Sequence, residues 1–174
     1  VIGLKQFSGP NASTDPVQGL INYQYRNTGG AGLGTWDNLT GKEIKNQVQE
    51  MIQAMKILNF RDRDFTLFIP ETYETRLDDD YSDQYPGTIR ENLAKIAKLS
   101  EIVVVTKMPA DNIVLMYNWM ETMSLLEGLS MTVMTERAGA YGQIEKYRVM
   151  QMTLPYCKAD FNGLSGILHY TLTN

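Results

Sequence analysis

Cysteine and histidine are nearly absent from this chain: Cys157 and His169 are single occurrences among 174 residues, and each scarcity removes a class of chemistry. A lone cysteine cannot close an intrachain disulfide, and a zinc site normally takes three or four Cys, His or carboxylate ligands. The fold is therefore expected to be held by packing alone, with no metal and no cofactor. Long apolar runs are missing too. Nothing approaches the roughly 20 residues of a membrane-spanning helix, and no basic stretch followed by a hydrophobic segment marks a secretion signal. The expectation is a soluble protein made in a reducing compartment, in which Asn11-Ala-Ser13 and Asn38-Leu-Thr40 match the glycosylation pattern by chance. Excess positive charge is lacking as well. A net charge of −4 excludes broad attraction to phosphate backbones, so no specific nucleic-acid site is expected. The chain opens at Val1 rather than Met, and the natural protein is expected to start further upstream.

What is present suits one compact unit, since 43% hydrophobic residues over this length supply a core. Residues 1–40 read as an irregular arm or linker, rich in turn signals such as Gly9-Pro10-Asn11 and Thr28-Gly29-Gly30-Ala31-Gly32-Leu33-Gly34, with one short strand at Gly19–Tyr23. At Thr40 the pattern changes. Thr40 and Glu43 have capping-box spacing, and Ile44, Val48, Met51, Ile52, Met55 and Leu58 recur every three or four residues, which predicts an amphipathic helix over Lys42–Asn59. Phe65–Ile69 reads as a buried strand, and Pro70 as the first position of a short helix carrying Tyr73 and Leu77. Thr88 and Glu91 repeat the cap spacing ahead of a helix over Ile89–Lys98. Strands follow at Glu101–Lys107 and Asn112–Tyr117, then at 124–127, 130–135, 146–152 and 166–171, punctuated by Gly128, Gly139, Gly142 and Asn162-Gly163. This order is α+β, because helices and strands do not alternate strictly.

No residue set carries catalytic chemistry. His169 lies in an apolar-alternating strand, where a packed structural role is the common outcome. Cys157 has no basic neighbour in sequence to lower its pKa. Asp78, Asp79, Asp80 and Asp83 bring carboxylates together but without the spacing of a calcium loop, which leaves a solvated surface. Gly163-Leu-Ser165-Gly166 has the wrong spacing for a serine nucleophile. The glycine run at 28–34 fits neither GxGxxG nor GxxxxGK[ST] and reads as a flexible connection. Met51, Met55, Met116, Met131 and Met150 are placed facing the core. Tyr23, Tyr25, Trp36 and Tyr81, in or near loops, read as exposed aromatics that anchor a protein interface.

Several strings, taken in order, resemble the Hong Kong 97-type major capsid proteins of tailed bacteriophages and prophages, from about Gly19 to the C-terminus. Gly19-Leu-Ile-Asn22 looks like the segment leading out of that family's extended loop. The helix over Lys42–Asn59, the strand Phe65–Ile69 ending in Pro70, and Tyr73-x-x-x-Leu77 are similar to its helix, strand and following helix start. Glu101–Lys107 and Asn112–Tyr117 look like the paired strands closing its A-domain. Residues 121–136 resemble strands returning to its peripheral domain, and Lys146–Cys157 with Gly163–Tyr170 its final pair, although the closing Pro-x-Ala is absent and Gly166-Ile-Leu-His169 stands there. The resemblance implies an arm or linker over 1–40, an A-domain-like region over 41–120, and returning strands over 121–174. No N-terminal arm, extended loop or spine helix precedes Val1, so the chain corresponds to a C-terminal part of such a subunit and should not assemble normal shells by itself. The resemblance further implies a virion protein made in the bacterial cytoplasm. It would catalyse nothing, self-assemble into hexamers and pentamers around DNA, and meet scaffold or portal proteins. Two other readings stay open: a tail or head-decoration protein, and a small-ligand-binding or catalytic α/β domain with a concave pocket near Gly29–Gly34. The capsid reading requires the helix over Lys42–Asn59 to pack on a sheet holding both Phe65–Ile69 and Val103–Val105.

Overall fold

The computed structural model describes residues 20–21, 23–30, 33–82, 85–117, 119–138 and 144–173. The local signals at residue 40 are realised closely. Helix α1 spans Gly41–Ile57. The Thr40 hydroxyl accepts from the Glu43 backbone N–H (3.4 Å), and the Glu43 carboxylate accepts from the Thr40 N–H (2.8 Å), closing a reciprocal capping box. At the other end Asn59 takes a left-handed conformation (φ 75°), and the N–H groups of Phe60 and Asn59 donate to the carbonyls of Met55 and Lys56 at 3.1 and 3.2 Å. That pair of bonds is a Schellman motif, which satisfies carbonyls left open where the helix stops. Ile44, Val48, Met51, Ile52 and Met55 form the buried face, as their spacing requires.

This face packs on a five-stranded mixed sheet in the order β1-β9-β6-β2-β5, built from β1 (Asn27–Gly29), β2 (Phe65–Pro70), β5 (Leu99–Val105), β6 (Asn112–Tyr117) and β9 (Ile167–Thr171). β1 runs parallel to β9 and β2 parallel to β5; β6 is antiparallel to both β2 and β9. Side chains alternate across the sheet. Phe65, Leu67, Ile69, Leu115 and Leu168 join α1 in the main core, with Ile89 and Leu93 of the short helix α3 (Ile89–Ala94). Val114, Met116 and Ile167 face the other way into a smaller cluster with Leu20, Tyr23 and Met108. The helix thus rests on a sheet containing both Phe65–Ile69 and Val103–Val105. The sheet draws on all three segments, 1–40, 41–120 and 121–174, that the sequence delimits. Among the described residues no helix is long and apolar enough to cross a membrane.

Several expectations are corrected. The strands at 101–107 and 112–117 do not pair, because β2 lies between them. β2 is buried along almost its whole length and fits the centre, whereas β5 exposes Ser100 and Glu101 and fits an edge. Leu20 and Ile21 form a turn, and the strand of that region is β1; Gly19 and Asn22 lie outside the described residues. Pro70 is not the first helical residue. It ends β2 in extended conformation and leads a 3-10 turn at Glu71–Tyr73, followed by α2 (Glu74–Leu77) and by a small two-stranded sheet of β3 (Asp80–Ser82) and β4 (Tyr85–Thr88). α3 stops at Ala94 rather than Lys98, although the Thr88 hydroxyl caps it by accepting from the Glu91 N–H. Positive φ at Lys98 (75°) turns the chain into β5, and Lys98 O accepts from Phe65 N–H at 2.7 Å.

The largest difference lies beyond residue 120. After a short helix, α4 (Trp119–Thr122), the expected strands merge into a long antiparallel pair, β7 (Met123–Ala138) and β8 (Ile144–Cys157). Gly128 does not end a strand; the register shifts between Glu127 and Leu129 and again between Leu129 and Thr132, so bulges absorb it within a continuous ladder. Gly139 and Gly142 lie outside the described residues. The segments expected as a terminal pair sit in different sheets, since β8 pairs with β7 while β9 lies between β1 and β6.

Candidate functional site

The residues singled out for chemistry do not converge. His169 is buried on the smaller-cluster face of the sheet. Arg26 Nε donates to its Nδ1 (3.2 Å), which leaves the proton on Nε2 to be donated to Asn112 Oδ1 (2.7 Å). Burial, then the neighbouring Arg26 charge, holds His169 below the ordinary histidine range, so the ring is neutral with both nitrogens used. Cys157 ends β8 half-buried against the smaller cluster, and burial pushes its thiol up, away from the thiolate a nucleophile needs. Ser165 is buried and its hydroxyl donates to Tyr25 O (2.8 Å).

The acidic stretch is tied down by arginines. Asp78 meets Arg90 at 3.0 Å and Asp79 meets Arg76 at 2.6 Å, while Arg76 also donates to the carbonyls of Trp36 and Leu39. Asp83 lies outside the described residues. Among the described residues no group of three or more His, Cys, Asp or Glu side chains is placed to hold a metal ion.

The glycine run is not a loose connection where it is described. Gly29 ends β1 and Gly30 follows with φ 87°; a Cβ on Gly29 would stand 2.5 Å from the Tyr170 ring, so glycine permits the aromatic of β9 to lie directly over the strand. Ala31 and Gly32 lie outside the described residues. Nearby, Asn27, Thr28, Ala54, Ile57, Leu58, Leu168 and Tyr170 line an open depression of about 330 Å³. Its only ionisable lining group is Tyr170, pushed up by burial and then by the charge of Glu50.

Two predicted sets of exposures hold only in part. Trp36 is fully buried, stacked 5.4 Å from Tyr73 with its Nε1 donating to Gln47 Oε1 (3.0 Å), and Tyr23 is buried as well, leaving Tyr25 as the exposed aromatic of that group. Tyr81 is half-buried against the core. Met51, Met55 and Met116 face the core as expected, but Met131 (67% exposed) and Met150 (42%) do not. Both lie on the β7–β8 pair, which has no third layer among the described residues.

That ribbon is the feature out of keeping with a finished surface. Twelve of its large apolar side chains are exposed. The register places Leu126, Leu129, Met134, Met150, Met152 and Leu154 on one face, and Leu125, Val133, Tyr147 and Val149 on the other. Burying such a side chain contributes about 1.5–3 kcal/mol at ~25 cal/mol per Å², or roughly 60–120 Å² each. Half-exposed, the twelve together leave roughly 360–720 Å² of apolar surface over the two faces, comparable with the largest patch of an ordinary monomer. An isolated two-stranded ribbon is marginal in water, and among the described residues no further strand pairs with either of its outer edges. Sequence reasoning missed this because it assigned alternation to separate strands. The signal lay in Met131-Thr-Val-Met134 and Val149-Met-Gln-Met152, where apolar residues fall on both faces of the strands.

A second missed residue is Phe161, fully exposed on the turn after β8. The turn is ordered: Asp160 Oδ1 accepts from the N–H groups of Asn162 (2.9 Å) and Leu164 (2.7 Å), and Asp160 N–H donates to Leu164 O (2.8 Å). Gly163, with φ 76°, sits under the Tyr25 ring.

A family model described as "Family of unknown function (DUF6260)" matches residues 11–170. No curated protein matches the chain. Among solved structures it is similar to that titled "Crystal structure of virus-like particle from Pyrococcus furiosus", with a TM-score of 0.57 and 17% identity over 84% of this chain. The chain spans 56% of the length of that protein. At this identity the likeness is one of fold: a mixed α/β arrangement dominated by strands.

Proposed function

The chain belongs to the DUF6260 family, and for it we propose a structural role: part of a shell-forming subunit that assembles with copies of itself and catalyses nothing. The observation that carries this reading is the β7–β8 ribbon, whose exposed apolar side chains lie on both faces, the kind of surface that marks a contact with another molecule. The capsid-like fold supports the same conclusion, as does the dispersal of the ionisable groups into structural pairs.

In its finer form the proposal is a Hong Kong 97-type major capsid protein of a tailed phage or prophage. Its copies form hexamers and pentamers through head-to-tail contacts, enclose DNA, and meet scaffold or portal proteins during assembly. Many modest contacts repeated around a closed shell supply the affinity, which removes the need for any single strong site. A net charge of −4 suits a container through which DNA must move.

The test is expression of the full-length protein followed by electron microscopy and light scattering. Closed particles of uniform diameter are expected. Tubes or fibres attached to tails would point instead to a tail protein, and a monodisperse monomer at high concentration would end the shell reading.

A further inference from the structure

Arg26 and His169 meet in an arrangement that only a neutral imidazole permits. Asn112 of β6 fixes one side of the ring: its Nδ2 donates to the carbonyls of Ala110 (2.8 Å) and Pro109 (3.4 Å), which leaves Oδ1 to accept from His169 Nε2 at 2.7 Å. Nδ1 therefore keeps its lone pair for Arg26 Nε–H, 3.2 Å away. A protonated ring would turn a second N–H on the guanidinium, donor against donor and cation against cation, at a position only 5% exposed. Nothing packed around the ring relieves that conflict. In the smaller cluster, burial before all else keeps the Tyr23 hydroxyl and the Cys157 thiol neutral. β6 and β2 bring Val114 and Phe68 to this face, and the carboxylate of Asp111, next to Asn112, accepts from the Tyr73 hydroxyl. Among the described residues no carboxylate forms an ion pair with Arg26.

What Arg26 holds in place is one edge of the five-stranded sheet. It directly precedes β1, and its backbone N–H and Nη1 both donate to Tyr23 O, at 3.1 and 3.0 Å. β1 is the outermost strand, three residues long, and its ladder with β9 runs only through Leu168, His169 and Tyr170. Asn27 Nδ2, donating to the carbonyls of Ser165 and Ile167, and Ser165 Oγ, donating to Tyr25 O, add the remaining ties. So short an edge strand opens at far lower free energy than the sheet's centre. We propose that Arg26 and His169 form an acid-sensitive latch: charging the imidazole displaces the guanidinium and releases β1 from β9, baring that edge of the sheet. The inference does not depend on the shell reading. Release leaves the backbone groups along the outer side of β9 without strand partners, an edge open to strand addition from another chain. The closed strand excludes the proton, whereas the released one lets the ring titrate at the ordinary value of ~6.5, so the released population grows about tenfold by about one pH unit below that value.

The experiment is hydrogen exchange with mass spectrometry on the full-length protein at about pH 7.5 and about pH 5.5, corrected for the intrinsic exchange rate at each pH. Protection in peptides covering residues 23–30 should fall about tenfold at the lower pH, while β2 and β6 keep theirs. Slow exchange at the imidazole C2 position of His169 reports its protonation in the same protein. His169→Gln supplies an oxygen to accept from Arg26 and an N–H to donate to Asn112 without a titrating group, so residues 23–30 should stay protected at both pH values. Arg26→Gln removes the fixed charge, and should bring the His169 ring closer to ordinary titration and shrink the acid-induced loss; it serves where the first variant does not fold. Unchanged protection of residues 23–30 at the lower pH overturns the latch. So does an equal loss in β6, which would be unfolding of the whole sheet, or an undiminished pH dependence in either folded variant. Particle formation is not read, so failure here leaves the shell reading as it stands.

Discussion

In the five-stranded sheet, β2 and β6 bury nearly every side chain, while β7 and β8, longer and about half apolar, expose most of their large apolar residues. Strand-forming character alone does not separate them. The difference is what lies above and below: α1 and α3 on one face of the sheet and a small cluster around Leu20, Tyr23 and Met108 on the other, but no such layer on the ribbon among the described residues. The same residue types therefore stabilise the fold in one region and await a partner in the other.

Substitution breaks the comparison most sharply at the centre of the sheet. Phe65→Ala, at a fully buried position beside Tyr117, should cost about 3–5 kcal/mol in urea unfolding, with or without assembly. A smaller loss, about 1 kcal/mol, is expected for Thr40→Ala, which removes the cap that starts α1; the shift in urea midpoint should come without a change in slope.

The sheet should also carry a pH dependence on the acid side, set by a buried histidine. His169 has a lowered pKa in the folded state, so the unfolded chain binds the extra proton first as pH falls. The contribution is fully present above about pH 6.5 and is lost progressively below it, as the imidazole is forced to charge beside Arg26. His169→Gln should flatten the dependence of melting temperature on pH in that window; an unchanged acid slope would show that other groups set it.

The smallest effect on the isolated chain should come from the ribbon. Met131→Ser or Leu125→Ser should shift its unfolding free energy by less than about 0.5 kcal/mol, as exposed positions do. Assembled particles should respond oppositely, dissociating at lower urea than the parent, so the ratio of the two effects measures how far the ribbon is a contact surface.

Sequence by itself determined the elements whose signals are local. The Thr40–Glu43 box, the 3.6-residue stripe from Ile44 to Met55 and the apolar run Phe65–Ile69 each appear nearly where their pattern places them, because hydrogen bonds and faces within one segment decide them. Only the tertiary structure decided which strands neighbour one another, how Gly128 is absorbed by bulges, why Trp36 is buried, and where Met131 and Phe161 meet solvent. These depend on what packs against a residue from far along the chain, and an apolar side chain reads the same in sequence whether the fold covers it or leaves it for another molecule.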